Sequence, residues 1–166
     1  MRIGVLSDTH LISPNVWLEY ILEELLGSDD MLLHAGDIVS GRVLDRLEEK
    51  GVLAVCGNMD DSEVAGVLPQ QRIIRVAGIR IALIHGWGGK RGLEERLVMR
   101  LKPENPDIII YGHTHVPYWG ELHGTMLFNP GAVHTPHGDA GTVGRLEIVD
   151  GNVEASFLPI DGKNKE

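Results

Sequence analysis

The stretch RIGVLSDTH, residues 2–10, joins a short apolar run to a polar cluster. An apolar run of this length, bounded by loop residues, predicts a buried strand. The pattern recurs in MLLHAGD, residues 31–37, and in VLAVCGN, residues 52–58, and apolar residues at helical spacing lie between the runs. This alternation of strand and helix predicts parallel strands joined by right-handed crossovers.

Two helices are predicted between these strands. Ser13 followed by Pro14 is typical of a helix start, with the serine as N-cap, and Gly27 would end that helix. The second helix is expected to close near Gly51. The second half of the chain predicts hairpins at 72–84, 117–128 and 143–159, a helix at 92–101 and a buried strand at 107–111. We therefore expect an α/β protein with one domain over residues 1–160 and a frayed tail at 161–166.

The bulk composition sets limits on function. The 166 residues carry a net charge of −9 and include one cysteine, Cys56, which excludes an internal disulfide. An acidic balance argues against an extended nucleic acid as partner, because that affinity comes largely from phosphate neutralisation. The N-terminal residues lack the features of a signal peptide, and no apolar run approaches the ~18 residues of a membrane span. We expect a cytoplasmic protein without a membrane partner, and its apolar hairpins could support a homo-oligomer.

Five of the predicted strands end in a cluster of metal-binding residue types. Ligands bind outside the carboxyl ends of the strands in an open α/β sheet, so we expect the five clusters to converge there. Gly-His-Thr-His at 112–115 is the most specific cluster, because two histidines straight after an apolar strand rarely serve core packing. The others are weak alone, since each also fits a turn or a strand end. The clusters are Asp8-Thr9-His10, Gly36-Asp37, Gly57-Asn58-Met59-Asp60, His85-Gly86 and Gly112-His113-Thr114-His115.

The order of these motifs resembles that of the calcineurin-like metallophosphoesterase superfamily, over about Met1 to Val149. The short length, the absence of a cap domain and the segment Asn129-Pro130-Gly131-Ala132-Val133 resemble its small prokaryotic phosphodiesterase branch. The resemblance implies a four-layer α/β/β/α sandwich of two mixed β-sheets flanked by helices. It also implies two divalent metal ions, with manganese expected first and nickel, iron or zinc as alternatives. The implied ligands are Asp8, His10 and His115 for one ion, Asn58, His85 and His113 for the other, and Asp37 as the bridge.

The chemistry that the resemblance implies is hydrolysis of a small phosphodiester by in-line attack of a metal-bridging hydroxide. Two divalent ions, two carboxylates and one hydroxide leave the centre at about +1, so it would attract an anion despite the acidic surface. Asn58 is expected to act both as a ligand and as a contact to a phosphate oxygen. Asp60 is expected to orient a neighbouring group.

Met59 departs from the superfamily pattern, which often has Gly-Asn-His followed by Asp or Glu. That histidine is a candidate general acid, and a thioether cannot donate a proton. His134 is the catalytic residue that we expect in its place, with His137 as the other candidate. Without a replacement acid, strong activity would be confined to esters with good leaving groups.

Other functions fit parts of the same pattern. A eukaryotic retromer subunit resembles this fold but works as an interaction scaffold with a degraded metal site, whereas all seven ligand positions here carry competent residues. A nuclease of the family would carry extra domains and a DNA-contacting surface. A phosphomonoesterase would need the missing histidine and arginines that clamp a dianion, and we expect Arg91 and Arg96 to belong to a solvated helix instead.

Overall fold

The computed structural model describes residues 1–134 and 141–161. The predicted tail therefore falls outside the described residues except for Asp161, and His137 falls outside them as well. Within the described ranges the chain forms ten strands and four α-helices. None of these helices is long and apolar enough to cross a membrane.

The strands form two mixed five-stranded sheets. In the first sheet, with the order β10-β9-β1-β2-β3, the strands β1, β2 and β3 are parallel, and β9 runs antiparallel to β1. The second sheet has the order β4-β5-β6-β8-β7, in which β5, β6 and β8 are parallel. The strands span Arg2–Leu6 (β1), Met31–His34 (β2), Leu53–Ala54 (β3), Gln71–Val76 (β4), Ile79–Ile84 (β5), Ile108–Ile110 (β6), Tyr118–Leu122 (β7), Thr125–Asn129 (β8), Thr142–Val149 (β9) and Asn152–Pro159 (β10).

Helices cover the outer faces of both sheets. They span Val16–Tyr20 (α1), Gly41–Glu49 (α2), Ser62–Val67 (α3) and Leu93–Leu101 (α4). The first continues as a π-helical turn over Ile21–Leu25, and the fourth ends in a 3₁₀ turn over Lys102–Glu104.

Three apolar clusters separate four layers. Along β5, Ile81 and Leu83 pack into the cluster between the two sheets, whereas Ala82 and Ile84 pack against Leu97 of α4. This alternation buries both faces of one strand, which explains the continuous apolar run in its sequence. A third cluster lies between the first sheet and α1, α2 and α3. The expected α/β/β/α sandwich of two mixed sheets flanked by helices is therefore confirmed.

One local prediction was wrong, and one helix was missed. The first helix is capped by Asn15 rather than Ser13, because the Asn15 side chain accepts hydrogen bonds from the backbone of Trp17 and Leu18 at 3.1 and 3.0 Å. The helix α3 was not predicted at all. It buries Val64 alone and so lacks an apolar stripe in the sequence.

Candidate metal centre

The predicted ligands lie in loops that follow five strands, three from the first sheet and two from the second. Hydrogen bonds join the loops across the two sheets. The backbone N–H of His113 donates to Oδ2 of Asp8 at 3.2 Å, and Nδ1 of His85 lies 2.7 Å from the carbonyl oxygen of Ala35. The candidate site is therefore built where the carboxyl edges of both sheets meet.

Asp8, His10 and His115 form one set of ligands, which we call the His115 group. Oδ1 of Asp8 lies 3.1 Å from Nε2 of His115 and 3.7 Å from Nε2 of His10. The other oxygen of Asp8 is already occupied, because it accepts hydrogen bonds from Ser7 Oγ at 2.6 Å and from the backbone of His113. Oδ1 is thus the oxygen that faces the two imidazoles.

Asn58, His85 and His113 form a second set, which we call the Asn58 group. Oδ1 of Asn58 lies 3.1 Å from Nε2 of His85 and 3.0 Å from Nδ1 of His113. Asp37 stands between the two groups, since its Oδ2 lies 3.3 Å from Nε2 of His85 and 3.7 Å from Nε2 of His10. The fold therefore brings all seven predicted ligands together, and Asp37 lies between the His115 group and the Asn58 group.

The hydrogen bonds of two histidines indicate which ring nitrogens face the centre. Nδ1 of His85 faces the carbonyl oxygen of Ala35, and Nε2 of His113 lies 2.7 Å from the carbonyl oxygen of Gly88. A carbonyl oxygen can only accept, so these nitrogens carry the protons and the opposite nitrogens present lone pairs. The lone pair of neutral His85 would then face the Asp37 carboxylate, which also only accepts. The two groups need either a proton or a metal ion between them, and without metal the raised pKa of His85 supplies the proton.

Two buried atoms of the His115 group support the same conclusion. Among the described residues, Oδ1 of Asp8 and Nε2 of His10 are buried without a hydrogen-bond partner. A buried polar group left unpaired costs about 1–3 kcal/mol, so such atoms are rare in folded proteins. Imidazole nitrogens, carboxylate oxygens and an amide oxygen together suit a divalent transition metal. The residues present therefore fit the metal ions that the sequence motifs imply.

The electrostatics of the centre favour positive charge. Burial would raise the pKa of Asp8, but the imidazoles of His10 and His115 lower it far below its usual value. Asp8 in turn raises the pKa of His10. Burial lowers the pKa of His85, yet Asp37 and Asp8 raise it above its ordinary value. Metal ions would satisfy the same carboxylates and displace these protons.

The backbone at the centre is strained. Asp8, His10, Asp37, His113 and His115 all adopt φ values between 47° and 69°. Non-glycine residues in this left-handed region cost about 1–3 kcal/mol each and cluster at functional sites. Nothing in the sequence signalled the left-handed turns.

Asp60 holds two of the ligand loops together. Its Oδ1 accepts a hydrogen bond from the backbone of Val39 at 2.6 Å, and its Oδ2 accepts one from the backbone of Gly57 at 2.7 Å. These contacts join the loop after Asp37 to the loop before Asn58. Asp60 thus lies where a residue that orients the ligands would lie.

Asn129 supports the loop that carries His113 and His115. Its Nδ2 donates to the carbonyl oxygen of Gly112 at 2.9 Å and to Oγ1 of Thr114 at 3.0 Å. A side chain at Gly112 would collide with Ser7 and Asp8, so the close approach of the loop requires glycine. From the sequence, Asn129 had no predicted role beyond its place in the Asn-Pro-Gly-Ala-Val motif. A buried asparagine at the end of a strand, before Pro-Gly, is the signal that could have indicated one.

His134 and Met59 both lie at the edge of the centre. The backbone N–H of His134 donates to the carbonyl oxygen of Asp8 at 3.2 Å, and its side chain is exposed. Met59 is 57% exposed, and its backbone donates to Oδ1 of Asp37 at 2.8 Å. The part of the structure that is described shows no hydrogen bond of the His134 imidazole, so its catalytic role stays a prediction.

A cavity of about 350 Å³ adjoins the Asn58 group. Asn58 and His85 line it together with Cys56, Gln70, Trp87 and Arg100. The sequence drew no attention to Arg100, because it lies fifteen positions after His85 on a separate helix, α4.

Arg96, on the same helix, does not belong to a simple solvated face as expected. Its guanidinium donates to the carbonyl oxygens of Trp87 and Arg91, each at 3.0 Å, and to that of Gly89. It therefore tethers the loop that follows His85 to α4.

Three known proteins are similar to the chain over most of its length. A probable metallophosphoesterase of Methanocaldococcus jannaschii is 34% identical over 165 residues, which cover 97% of the chain and 82% of the relative. A phosphodiesterase of the same organism is 27% identical, covering 79% of the chain and 83% of the relative. The crystal structure of Vps29 complexed with Zn²⁺ from Entamoeba histolytica is 25% identical, covers 97% of the chain and 100% of its own, and has a TM-score of 0.68.

A family model adds to these pairwise similarities. The model of the calcineurin-like phosphoesterase superfamily domain matches residues 1–151, a range that contains both ligand groups and Asp37. The chain therefore belongs to the calcineurin-like phosphoesterase superfamily.

Proposed function

We propose that the chain is a two-metal phosphodiesterase that acts on small phosphodiesters, with manganese as the expected metal. One observation carries this proposal: two adjoining ligand groups direct lone pairs inward and share Asp37, whose Oδ2 faces a histidine of each group. When bound, two divalent ions supply an activated water and neutralise phosphate charge. The phosphodiesterase relative described above supports the choice of reaction class.

The remaining roles follow from the contacts of the side chains. Oδ1 of Asn58 faces the two imidazoles, so its Nδ2 is directed elsewhere and can donate to a phosphate oxygen. Asp8 and Asp37 bring two negative charges, while the asparagine and the histidines bring none. This balance leaves the loaded centre attractive to an anion.

The diester preference rests on Met59. A methionine cannot protonate a leaving alkoxide, so the enzyme would favour esters whose leaving groups depart unaided, unless His134 donates the proton. Rates measured with wild type and His134→Gln against the leaving-group pKa of aryl diesters distinguish these cases. A steep negative slope in both proteins indicates a missing acid. A slope that steepens only in His134→Gln assigns the proton to His134.

The proposal is tested with metal-depleted protein reloaded with manganese. We expect hydrolysis of bis(p-nitrophenyl) phosphate to exceed that of p-nitrophenyl phosphate. Replacing Asp37 by Ala should remove metal and lower kcat/KM by roughly 10³-fold, since several kcal/mol of charge stabilisation would be lost. Asp45→Asn, an exposed change on α2, serves as the control. Full turnover by the Asp37 variant would refute the bridging role.

A catalytically weak interaction scaffold is the second candidate, and the structural likeness to Vps29 favours it. That relative is described with bound zinc, so metal occupancy alone cannot separate the two functions. Turnover can separate them. A fully loaded protein that hydrolyses no diester in the panel would support the scaffold and contradict the enzyme.

A further inference from the structure

The cavity beside the Asn58 group shares two of its walls with the metal centre. Asn58 and the buried His85 form the side next to the centre, and Gln70, Trp87 and Arg100 line the rest. A volume of about 350 Å³ falls within the ~300–1,000 Å³ of small-molecule sites. A substrate whose phosphate lies at the metal centre would therefore place an adjoining part of the molecule here.

Arg100 gives this cavity its charge. The described residues that line the cavity include no carboxylate, and among the described residues no carboxylate pairs with the guanidinium of Arg100. The guanidinium lies 5.5 Å from the ring centroid of Trp87. Stacking on an aromatic face orients an arginine while leaving its N–H groups free to bind an anion.

Arg96 and Arg100 lie four positions apart on α4 but differ in their hydrogen bonds. Residues four apart lie on the same face of a helix. The guanidinium of Arg96 donates to three backbone carbonyls of the loop at 87–91, whereas the exposed Arg100 makes no hydrogen bond or ion pair with the described residues and lies over the Trp87 ring. An unpaired cation beside a catalytic centre, in a chain with a net charge of −9, indicates a recognition role.

We infer that Arg100 is a specificity-determining residue, which binds a second anionic group carried by the substrate beyond the scissile phosphodiester. This inference rests on the proposed function, because it places the scissile phosphate at the metal centre. The second group is a phosphate or a carboxylate, since both match the guanidinium fork. A monoanionic diester such as bis(p-nitrophenyl) phosphate would leave Arg100 unused.

Binding of non-hydrolysable probes to the metal-loaded protein tests the inference by calorimetry. All three probes carry a phosphonate on a four-carbon chain. Butylphosphonate has no second anion, 5-phosphonopentanoate has a carboxylate at the far end, and butane-1,4-diphosphonate has a second phosphonate there. We expect at least one of the two probes with a second anionic group to bind about five-fold tighter than butylphosphonate. This modest gain in affinity is typical of a partly exposed ion pair. The tighter of the two identifies the kind of second group.

Matched variants locate the effect. Arg100→Met should abolish the preference, so that the three probes bind this variant with about equal affinity. Arg75→Met is the control. Arg75 is exposed and lies near the end of β4 that is farther along the strand from the cavity residue Gln70, so its removal should keep the preference. Equal affinity of wild type for all three probes, or a preference that survives in Arg100→Met, overturns the inference. Hydrolysis of bis(p-nitrophenyl) phosphate, measured on the same samples, reports separately on the proposed function.

Discussion

The two ligand groups differ in what lies behind their histidines. Both imidazoles of the Asn58 group direct the outer N–H to a backbone carbonyl, that of Ala35 for His85 and that of Gly88 for His113. Within the described residues, neither His10 nor His115 has such a hydrogen bond. Exposure separates His85 from the other three histidines: its side chain is 2% exposed, whereas His10, His115 and His113 are all half-buried.

The Asn58 group and the His115 group are therefore not equally preorganised. A carbonyl behind an imidazole fixes its tautomer and ring orientation and makes the inner nitrogen a better ligand. The imidazoles of the His115 group face the carboxylates of Asp8 and Asp37, and no backbone carbonyl among the described residues lies behind them. We therefore expect the Asn58 group to hold its metal ion more tightly than the His115 group.

The largest expected effect is on metal occupancy. A chelator titration of the loaded protein should release two ions in two phases, since the groups differ in preorganisation. His115→Ala should lose the weakly held ion, and His113→Ala the tightly held one, with activity reduced roughly 10²-fold or more in each because both ions take part. Metal content by mass spectrometry and bis(p-nitrophenyl) phosphate hydrolysis measure these changes. Release of both metal ions in a single phase would contradict the expected difference in affinity between the two groups. Loss of the same phase in both variants would contradict it as well.

A smaller effect is expected at Asn129, which supports the loop shared by the two groups. Asn129→Ala removes two hydrogen bonds to residues 112–114 and should weaken metal binding about 10–100-fold without removing any ligand. Competition with a fluorescent chelator measures the affinity. Asn152→Ala, an exposed change at the start of β10, is the control and should bind as wild type does. Unchanged affinity in Asn129→Ala would show that the loop holds its shape unaided.

The smallest effect concerns His34, which is buried beneath both groups. Its Nδ1 accepts a hydrogen bond from the backbone of Gly36 at 3.1 Å, and its Nε2 lies 3.3 Å from Oγ1 of Thr9. Burial lowers the pKa of His34 to about 3, so the folded chain keeps it neutral. The unfolded chain binds a proton at this histidine as pH falls below about 6.5, and the native chain does not. Stability is therefore lost as pH falls from about 6.5 towards 3.

Denaturant unfolding of the metal-free protein at several pH values measures this effect. The free energy of unfolding should fall by up to about 1.4 kcal/mol per pH unit more steeply in wild type than in His34→Gln. His123→Gln, at an exposed hairpin turn, should keep the wild-type slope. Parallel slopes for wild type and His34→Gln would mean that His34 is not a buried neutral residue.

The sequence predicted well what depends on near neighbours along the chain. The three expected hairpins form, because each pair of strands and its turn are consecutive in the sequence and each turn contains a glycine at positive φ. The turns are Ala77-Gly78, His123-Gly124 and Asp150-Gly151. It failed where local signals were sparse, as in the short helix α3 with its single buried residue.

The pattern of residues along the chain predicted all ten strands of the described structure, three of its four α-helices and the residues that end each strand of the centre. Polar ligand types after apolar runs carry that information directly. The four-layer class of fold came from the resemblance to the superfamily. Only the tertiary structure decided which nitrogens of His85 and His113 face inward, because Ala35 and Gly88 lie far from them along the chain. The left-handed turns at the ligands and the unpaired Arg100 were decided in the same way. The contacts of both histidines arise where loops distant along the chain meet, and no local pattern encodes such a contact.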